Sequence, residues 1–197
     1  MRIVAVLLLA ALSACSVAPT GPPVDRAKVW AEHERSISRL DRWTIRGRVA
    51  LSTEDEGWSA ALQWQQRGTD YDIRVIAPFG QGSMRLQGGA AGVVLRTSDH
   101  PQPVYAANAE ALLRSRTGWR MPVTALRYWI RGLPQPAGAR TIQLDDRGRL
   151  AHLIQGGWSV DFLGYQRVDD YQLPEKIFMK NRDLRIRVVI HDWQLGG

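Results

Sequence analysis

Between Trp43 and Leu51 the apolar residues fall on every second position. Trp43, Ile45, Val49 and Leu51, with Gly47 in phase, alternate with Thr44, Arg46, Arg48 and Ala50. Period two is the mark of a strand with one buried face. The pattern returns over Trp58 to Gln66, and again where Tyr71, Ile73, Val75 and Ala77 alternate with Asp72, Arg74 and Ile76. Polar turns at 54–57 and 68–70 separate these runs. Ser83 to Gln87 and Gly92 to Thr97 continue the series, split by Gly88-Gly89. Further strands are expected at 141–144 and 150–155, around the hairpin turn Asp145-Asp146-Arg147-Gly148. Others follow at Trp158, Val160 and Phe162, at 176–181, and at Leu184, Ile186, Val188 and Ile190.

Three stretches change to helical spacing. Over 25–40, Val29, His33, Ile37 and Leu40 share a face and Asp25 is placed to cap the start. Asn108 is placed to cap a short helix running to Arg116. The stretch 122–131 carries Val123, Leu126, Trp129 and Ile130 on one face, with Pro122 in its first turn and Gly132-Leu133-Pro134 ending it. Many short strands joined by hairpins, with few helices, predict a mainly β domain: a strongly curved, incomplete antiparallel barrel with helices over one mouth. Alternation shows a buried face without showing whether the space behind it is hollow. Ile45, Val49, Leu51, Trp64, Ile73, Val75, Trp158, Val160 and Phe162 therefore line a cavity or fill a core. The eight tryptophans fit either a wide interior that needs large fillers or ordinary core aromatics.

The N-terminus reads differently. Arg2 is followed by an apolar run from Ile3 to Leu12, then small residues, then Cys15, the single cysteine. That run is shorter than the roughly 20 residues of a membrane span and suits the apolar centre of an export signal. Ser16 to Asp25 is a Pro-rich tether unsuited to a helix. Leu12-Ser13-Ala14-Cys15 resembles the lipobox of bacterial lipoproteins, which implies cleavage before Cys15 and acylation of that residue. Ser16, in place of an aspartate, implies release to the outer membrane. The expected organisation is a signal peptide over 1–14, an acylated cysteine and tether over 15–25, and one domain over 26–197.

The formal net charge is +7. Such a balance suits nucleic acid, anionic headgroups or an acidic protein, and export makes nucleic acid the least suited of the three. The arginines are spread along the chain, so solvation of outward strand faces explains them as well as a docking surface does. His33, His100, His152 and His191 lack metal-ligand spacing, and no GxSxG, HExxH or phosphate-cradling glycine loop is present. The acidic pairs Asp145-Asp146 and Asp169-Asp170 fall in expected turns. No cofactor, metal or catalytic residue is expected.

One stretch fits none of these structural patterns. Val75-Ile76-Ala77-Pro78-Phe79-Gly80-Gln81-Gly82-Ser83 carries an aromatic ring at the tip of a turn, where little backbone can shelter it. Phe79 either folds back onto the sheet or stands in water for a purpose.

With these features in place, the chain resembles the LolB family of outer-membrane lipoprotein receptors over essentially its whole length. The likeness rests on Gly47-Arg48-Val49-Ala50, Trp64-Gln65-Gln66, the Pro78-Phe79-Gly80 tip and Leu126-Arg127-Tyr128-Trp129-Ile130-Arg131-Gly132-Leu133-Pro134. The last is similar to the family's SLRxWxxGLP run, and the tip to its Pro-Leu-Gly loop with Phe79 in place of leucine. The resemblance implies a periplasm-facing, monomeric receptor anchored in the outer membrane. It would accept acylated lipoproteins from the LolA carrier and pass them to outer-membrane phospholipid through an apolar cavity. It also implies a bilayer-inserting role for Pro78, Phe79 and Gly80. Arg46, Arg48, Arg74, Arg185 and Arg187 are candidates for docking the carrier. Burying a methylene is worth about 0.8 kcal/mol, so a sixteen-carbon chain gains roughly 12 kcal/mol on leaving water, and such cargo must pass between apolar containers. The alternative is a lipid-anchored scaffold protein with a solid core. An apolar cavity of about 300–1,000 Å³, the range of ligand pockets, would separate the two.

Overall fold

The computed structural model describes residues 25–100 and 102–196. The expected signal segment, Cys15 and the tether up to residue 24 lie outside the described residues. Helix α1 (Arg26–Ser38) leads into β1 (Arg42–Ser52), β2 (Gly57–Arg67), β3 (Asp70–Ile76), β4 (Ser83–Gly89), β5 (Gly92–Thr97) and β6 (Val104–Ala106). Helices α2 (Ala109–Thr117) and α3 (Val123–Trp129) follow. The chain then returns through β7 (Arg140–Leu144), β8 (Leu150–Gln155), β9 (Trp158–Val168), β10 (Tyr171–Lys180) and β11 (Arg185–Leu195).

All eleven strands form one antiparallel sheet in the order β6-β5-β4-β3-β2-β1-β11-β10-β9-β8-β7. The first and last strands pair at its centre, so its free edges are β6 and β7, and α2 and α3 are the segment between those edges. Side chains from β1 to β4, from β10 and β11 and from both helices wall one internal space. The sheet is therefore curled, and the helices cover its concave face. This is the incomplete barrel expected from the pattern.

Local chemistry explains the elements. The Asp25 carboxylate accepts from the Lys28 N–H at 3.1 Å and caps α1, and Asn108 caps α2 by accepting from Ala111 N–H at 2.9 Å. Gly118, at φ +76°, ends α2 in the left-handed conformation that favours glycine. Gly47 sits where the β1–β11 register shifts, and a Cβ there would run into the Val189 carbonyl oxygen. The bulge bends the central pair of strands and needs a residue without a side chain.

Several boundaries differ from the pattern-based expectation. Gly88-Gly89 does not separate two strands but belongs to β4. Tyr71 lies opposite Gly88, where its hydroxyl occupies the space a Cβ would need, and Asp70 crowds Gly89 in the same way. Strand β6 was not expected, and β9 runs on to Val168. Strand β10 begins at Tyr171 and contains Pro174, which sits at a register shift, where the ladder is already interrupted.

The interior is filled unevenly. Trp43 packs between Trp64 and Trp193 at ring-centroid distances of 5.2 and 5.5 Å, with Ile45 in register beside both Trp64 and Trp193. Two of the three ring N–H groups are satisfied: Trp64 Nε1 donates to Gln66 Oε1 at 3.0 Å, and Trp193 Nε1 to the Pro174 carbonyl at 3.1 Å. These tryptophans plug the end of the barrel at the start of β1. Trp30, buried on α1, was absent from the expected helix face.

His33 stands between Trp30 and Tyr165, with its Nε2 buried and unpartnered among the described residues. Burial, then the nearby Arg149 charge, push its pKa below the ordinary 6.5. The unfolded chain therefore takes up the proton first as pH falls. This contribution to stability is intact above the ordinary value and is lost as pH drops below it. The melting temperature is expected to fall from about pH 7 to about pH 5, and to fall less steeply in His33→Leu. Independently, Gly47→Ala should cost about 1–3 kcal/mol by overpacking, seen as a lower urea midpoint with an unchanged slope.

Candidate functional site

Above the tryptophan plug lies an enclosed space walled only by apolar side chains. Val49, Leu51, Trp64, Ile73 and Val75, all expected from the alternation, line it. Ile45, Trp158, Val160 and Phe162 do not. Ile45 belongs to the tryptophan plug, and Val160 is fully buried between Leu153 and Met179. Trp158 packs on Trp129 at 6.1 Å, and Phe162 on Tyr165 at 6.2 Å. Pattern reading missed the helical half of the wall, Leu113, Val123, Leu126 and Ile130, together with Met84 and Met179. The apolar spacing of 122–131 was the available signal, since a helix that lids a cavity must turn an apolar face into it.

The enclosed volume is about 80 Å³. That is well below the several hundred cubic ångströms expected for an acyl cavity, so the described structure does not contain the cavity that the resemblance implied, and by volume alone it stands nearer the solid-core alternative. One side of the space is thin-walled. Trp58, 37% exposed, lines the cavity and also a surface groove of about 540 Å³, and Val75 and Met84 are shared between the same two spaces. Trp119, in the α2–α3 connection, stacks on Trp58 at 5.8 Å and 25°.

That groove runs beneath the Pro78-Phe79-Gly80 tip. The tip is a single 3-10 turn closed by Ala77 N–H to Gly82 O at 2.9 Å and Gln81 N–H to Pro78 O at 3.2 Å. Phe79 adopts φ +55° and is 98% exposed. It does not fold back onto the sheet. A left-handed non-glycine residue costs of order 1–3 kcal/mol, and the ring is hydrated in addition. Ile76, 55% exposed, adds a second apolar side chain beside it.

The segment 126–134 fixes the lid to the barrel. Arg131, 7% exposed, donates from Nη1 to the Ile37 and Leu40 carbonyls at 3.2 and 2.6 Å, and from Nε to the Arg127 carbonyl at 3.0 Å. Burial lowers its pKa to about 10, which still leaves it charged at neutral pH. Buried Gln155 accepts from Trp129 Nε1 and Gln135 N–H at 3.2 and 2.8 Å, and its amide nitrogen donates to the Gln135 carbonyl at 2.8 Å. Gly132, at φ +77°, turns the chain between these two ties.

The basic candidates divide. Arg74 pairs with Asp72 at 3.4 Å and Arg46 with Asp192 at 3.9 Å. Arg48, Arg185 and Arg187 are exposed, with no carboxylate within 4.0 Å among the described residues, and Arg187 lies over the Phe178 ring at 5.9 Å. His152 binds Asp161 at 2.6 Å across the β8–β9 ladder, and neither lines the cavity. Asp145 accepts from the Arg147 and Arg149 N–H groups at 2.9 and 2.8 Å; these bonds and the Arg149 charge hold its pKa below the ordinary range despite partial burial. It organises its own turn.

An open antiparallel half-barrel with a helical lid over an apolar interior defines the class of container to which this fold belongs. Solved structures share this fold. A LolA superfamily protein from Nitrosomonas europaea superposes with a TM-score of 0.57 at 9% identity, covering 87% of this chain and 94% of that one. A DUF1329 family protein from Desulfovibrio piger gives 0.56 at 6% identity, over 89% and 94%. At the sequence level residues 41–193 match the family described as outer membrane lipoprotein LolB. Outer-membrane lipoprotein LolB of Nitrosococcus oceani is 41% identical over 177 residues, 89% of this chain and 87% of that protein. Its counterpart in Pseudomonas putida is 41% identical over 165 residues, 84% and 80%. The chain belongs to the LolB family; it is an outer-membrane lipoprotein receptor and not an enzyme.

Proposed function

We propose that the protein, anchored through acylated Cys15 and acting as a monomer, takes acylated lipoproteins from a soluble LolA-type carrier and releases them into outer-membrane phospholipid. The acyl chains pass through the apolar interior. The observation that carries this reading is the shared wall: the cavity and the groove under Phe79 meet at Trp58, Val75 and Met84. A chain leaving the interior there emerges beside the Phe79 ring, which is both strained and almost fully hydrated.

The closed volume of about 80 Å³ means that cargo enters only as α2 and α3 move outward. Methionines at the seam, Met84 and Met121, suit a wall that repacks around a flexible chain. The Trp58–Trp119 stack couples the two motions, because one ring is on the barrel and the other on the lid. Ties at Arg131 and Gln155 hold the far end of α3, so the lid swings about that end. No nucleotide is needed if each apolar container holds the chains more tightly than the one before.

Phe79 sets the orientation on the bilayer. Full burial of such a side chain is worth about 1.5–3 kcal/mol, too little to anchor a protein and enough to bias how it sits. Replacing Phe79 with Glu should leave the melting temperature and fatty-acid binding unchanged. Delivery of carrier-loaded lipoprotein to vesicles should fall roughly ten- to a hundredfold. Unimpaired delivery would remove the loop from the mechanism, and no fatty-acid binding by the parent protein would favour a solid scaffold.

Carrier docking falls to Arg48, Arg185 and Arg187, whose charges are uncompensated, more than to Arg46 and Arg74. Glutamine at those three positions should slow association with the carrier several-fold at low salt and flatten its dependence on ionic strength. The same change at Arg46 and Arg74 should do less, as measured by stopped-flow association rates.

A further inference from the structure

The geometry points to a second, polar compartment for the head of the cargo: a niche that receives the amide and ester carbonyls of a lipid-modified N-terminal cysteine. This rests on the receptor reading and adds a ligand subsite to it. The niche holds about 250 Å³ and lies between the α2–α3 pair and the ends of β2 to β5. Its walls include the turn at Thr69 and the turn from Gly89 to Gly92. The register Arg67 to Asp70 and Gly89 to Gly92 puts these turns at the end of the sheet opposite the Phe79 tip, whose flanking residues pair as Ile76 to Ser83.

Four features make the niche suited to neutral carbonyl oxygens. First, only Trp64 and Val123 are shared between the niche and the apolar cavity, so a ligand with its head in one and its chains in the other would pass between α3 and Trp64 as the lid moves outward. Second, donors are waiting. Arg127 lines the niche; its Nη2 already donates to the Tyr128 hydroxyl at 2.9 Å, but its Nε–H is buried with no acceptor among the described residues. The Tyr71 hydroxyl, also on the wall, has no hydrogen-bond partner among them either. A buried donor left unpaired is costly, and a ligand carbonyl removes that cost. Third, the floor is low: small residues Gly89, Ala90 and Gly92 line it, and the Tyr71 ring packs down into the space beside Gly88.

The fourth feature is charge. Glu110 and Arg127 both face the niche, one of each sign. Glu110 is already engaged by the Thr124 N–H and hydroxyl at 2.9 and 2.8 Å. A phosphate or free carboxylate would meet this carboxylate at close range, whereas an ester or amide carbonyl carries no net charge. A diacylglyceryl cysteine with an N-acyl group offers three such carbonyls and three chains. With its head here, its tails point through the cavity towards Trp58 and the membrane-facing tip. The cargo then leaves tails first, and its polypeptide trails from the end away from the bilayer.

The test uses the mature chain carrying Cys15→Ala, and displacement of a fluorescent fatty acid by three probes. These are palmitic acid, a tripalmitoylated cysteinyl peptide, and dipalmitoyl phosphatidylglycerol. Variants Arg127→Met and Tyr71→Phe are compared with the parent after equal melting temperatures are confirmed. The expected result is a peptide bound about tenfold more weakly by either variant, with palmitic acid unchanged. Equal weakening of palmitic acid, or no change for the peptide, overturns the niche. So does tight phosphatidylglycerol binding that depends on Arg127, which would give the niche to phospholipid. If the parent protein binds none of the three, the receptor reading itself fails and the niche with it.

Discussion

A sheet that curls without closing must cover its concave face with something other than another strand. Here β11 pairs with β1 at the centre, and the edges β6 and β7 do not meet. The segment joining those edges is the one that covers the opening, so the lid is the crossover itself. Apolar side chains on both sides make the cover favourable. The cover is not made of ladder hydrogen bonds, so it opens without breaking the sheet. Every functional property follows from that asymmetry between a hydrogen-bonded wall and a packed lid.

The two ends of the barrel are built to opposite rules. One end is plugged by Trp43, Trp64 and Trp193, close-packed and with the Trp64 and Trp193 N–H groups satisfied. The other ends in strain and exposure, with Phe79 at positive φ and Trp58 shared between inside and outside. Stability accumulated in the first half permits the cost carried by the second. The 126–134 segment belongs to the stabilising side. Its arginine and the facing Gln155 bind carbonyls of α1 and of the 135–137 chain, which ties the lid to the barrel without filling the cavity.

The strands were legible because alternation is a direct record of one buried face, and the order of hairpins followed from turn residues such as Asp145 to Gly148. Phe79 was legible as a question: an apolar ring in a Pro-Gly turn has nowhere local to hide, but whether it folded back onto the sheet or stood in water was decided only by the structure. What could not be read was depth. Ile45 and Val49 have the same phase on the same strand, yet one joins the tryptophan plug and the other lines the cavity. Period two carries no information about position along the barrel axis. The helical wall was missed because its residues read equally well as core. Arg46 and Arg48 likewise share a pattern, and only the neighbouring Asp192 tells them apart. The polar niche depends on contacts between β2 to β5 and the lid, which no local window contains.

The small closed volume bears on energetics as much as on recognition. An empty apolar cavity large enough for three acyl chains would forfeit dispersion contacts throughout its lining. Collapse of the lid onto the sheet recovers those contacts when no cargo is present. In the proposed mechanism opening is driven by the cargo, whose chains replace the lid's side chains as partners for the same wall. Acceptance and release become two directions of one exchange of apolar contacts. Its balance point is set by how well Val49, Ile73, Leu126 and Ile130 pack with each other when they are alone. A receptor that collapsed too well would refuse cargo, and one that stayed open would hold it.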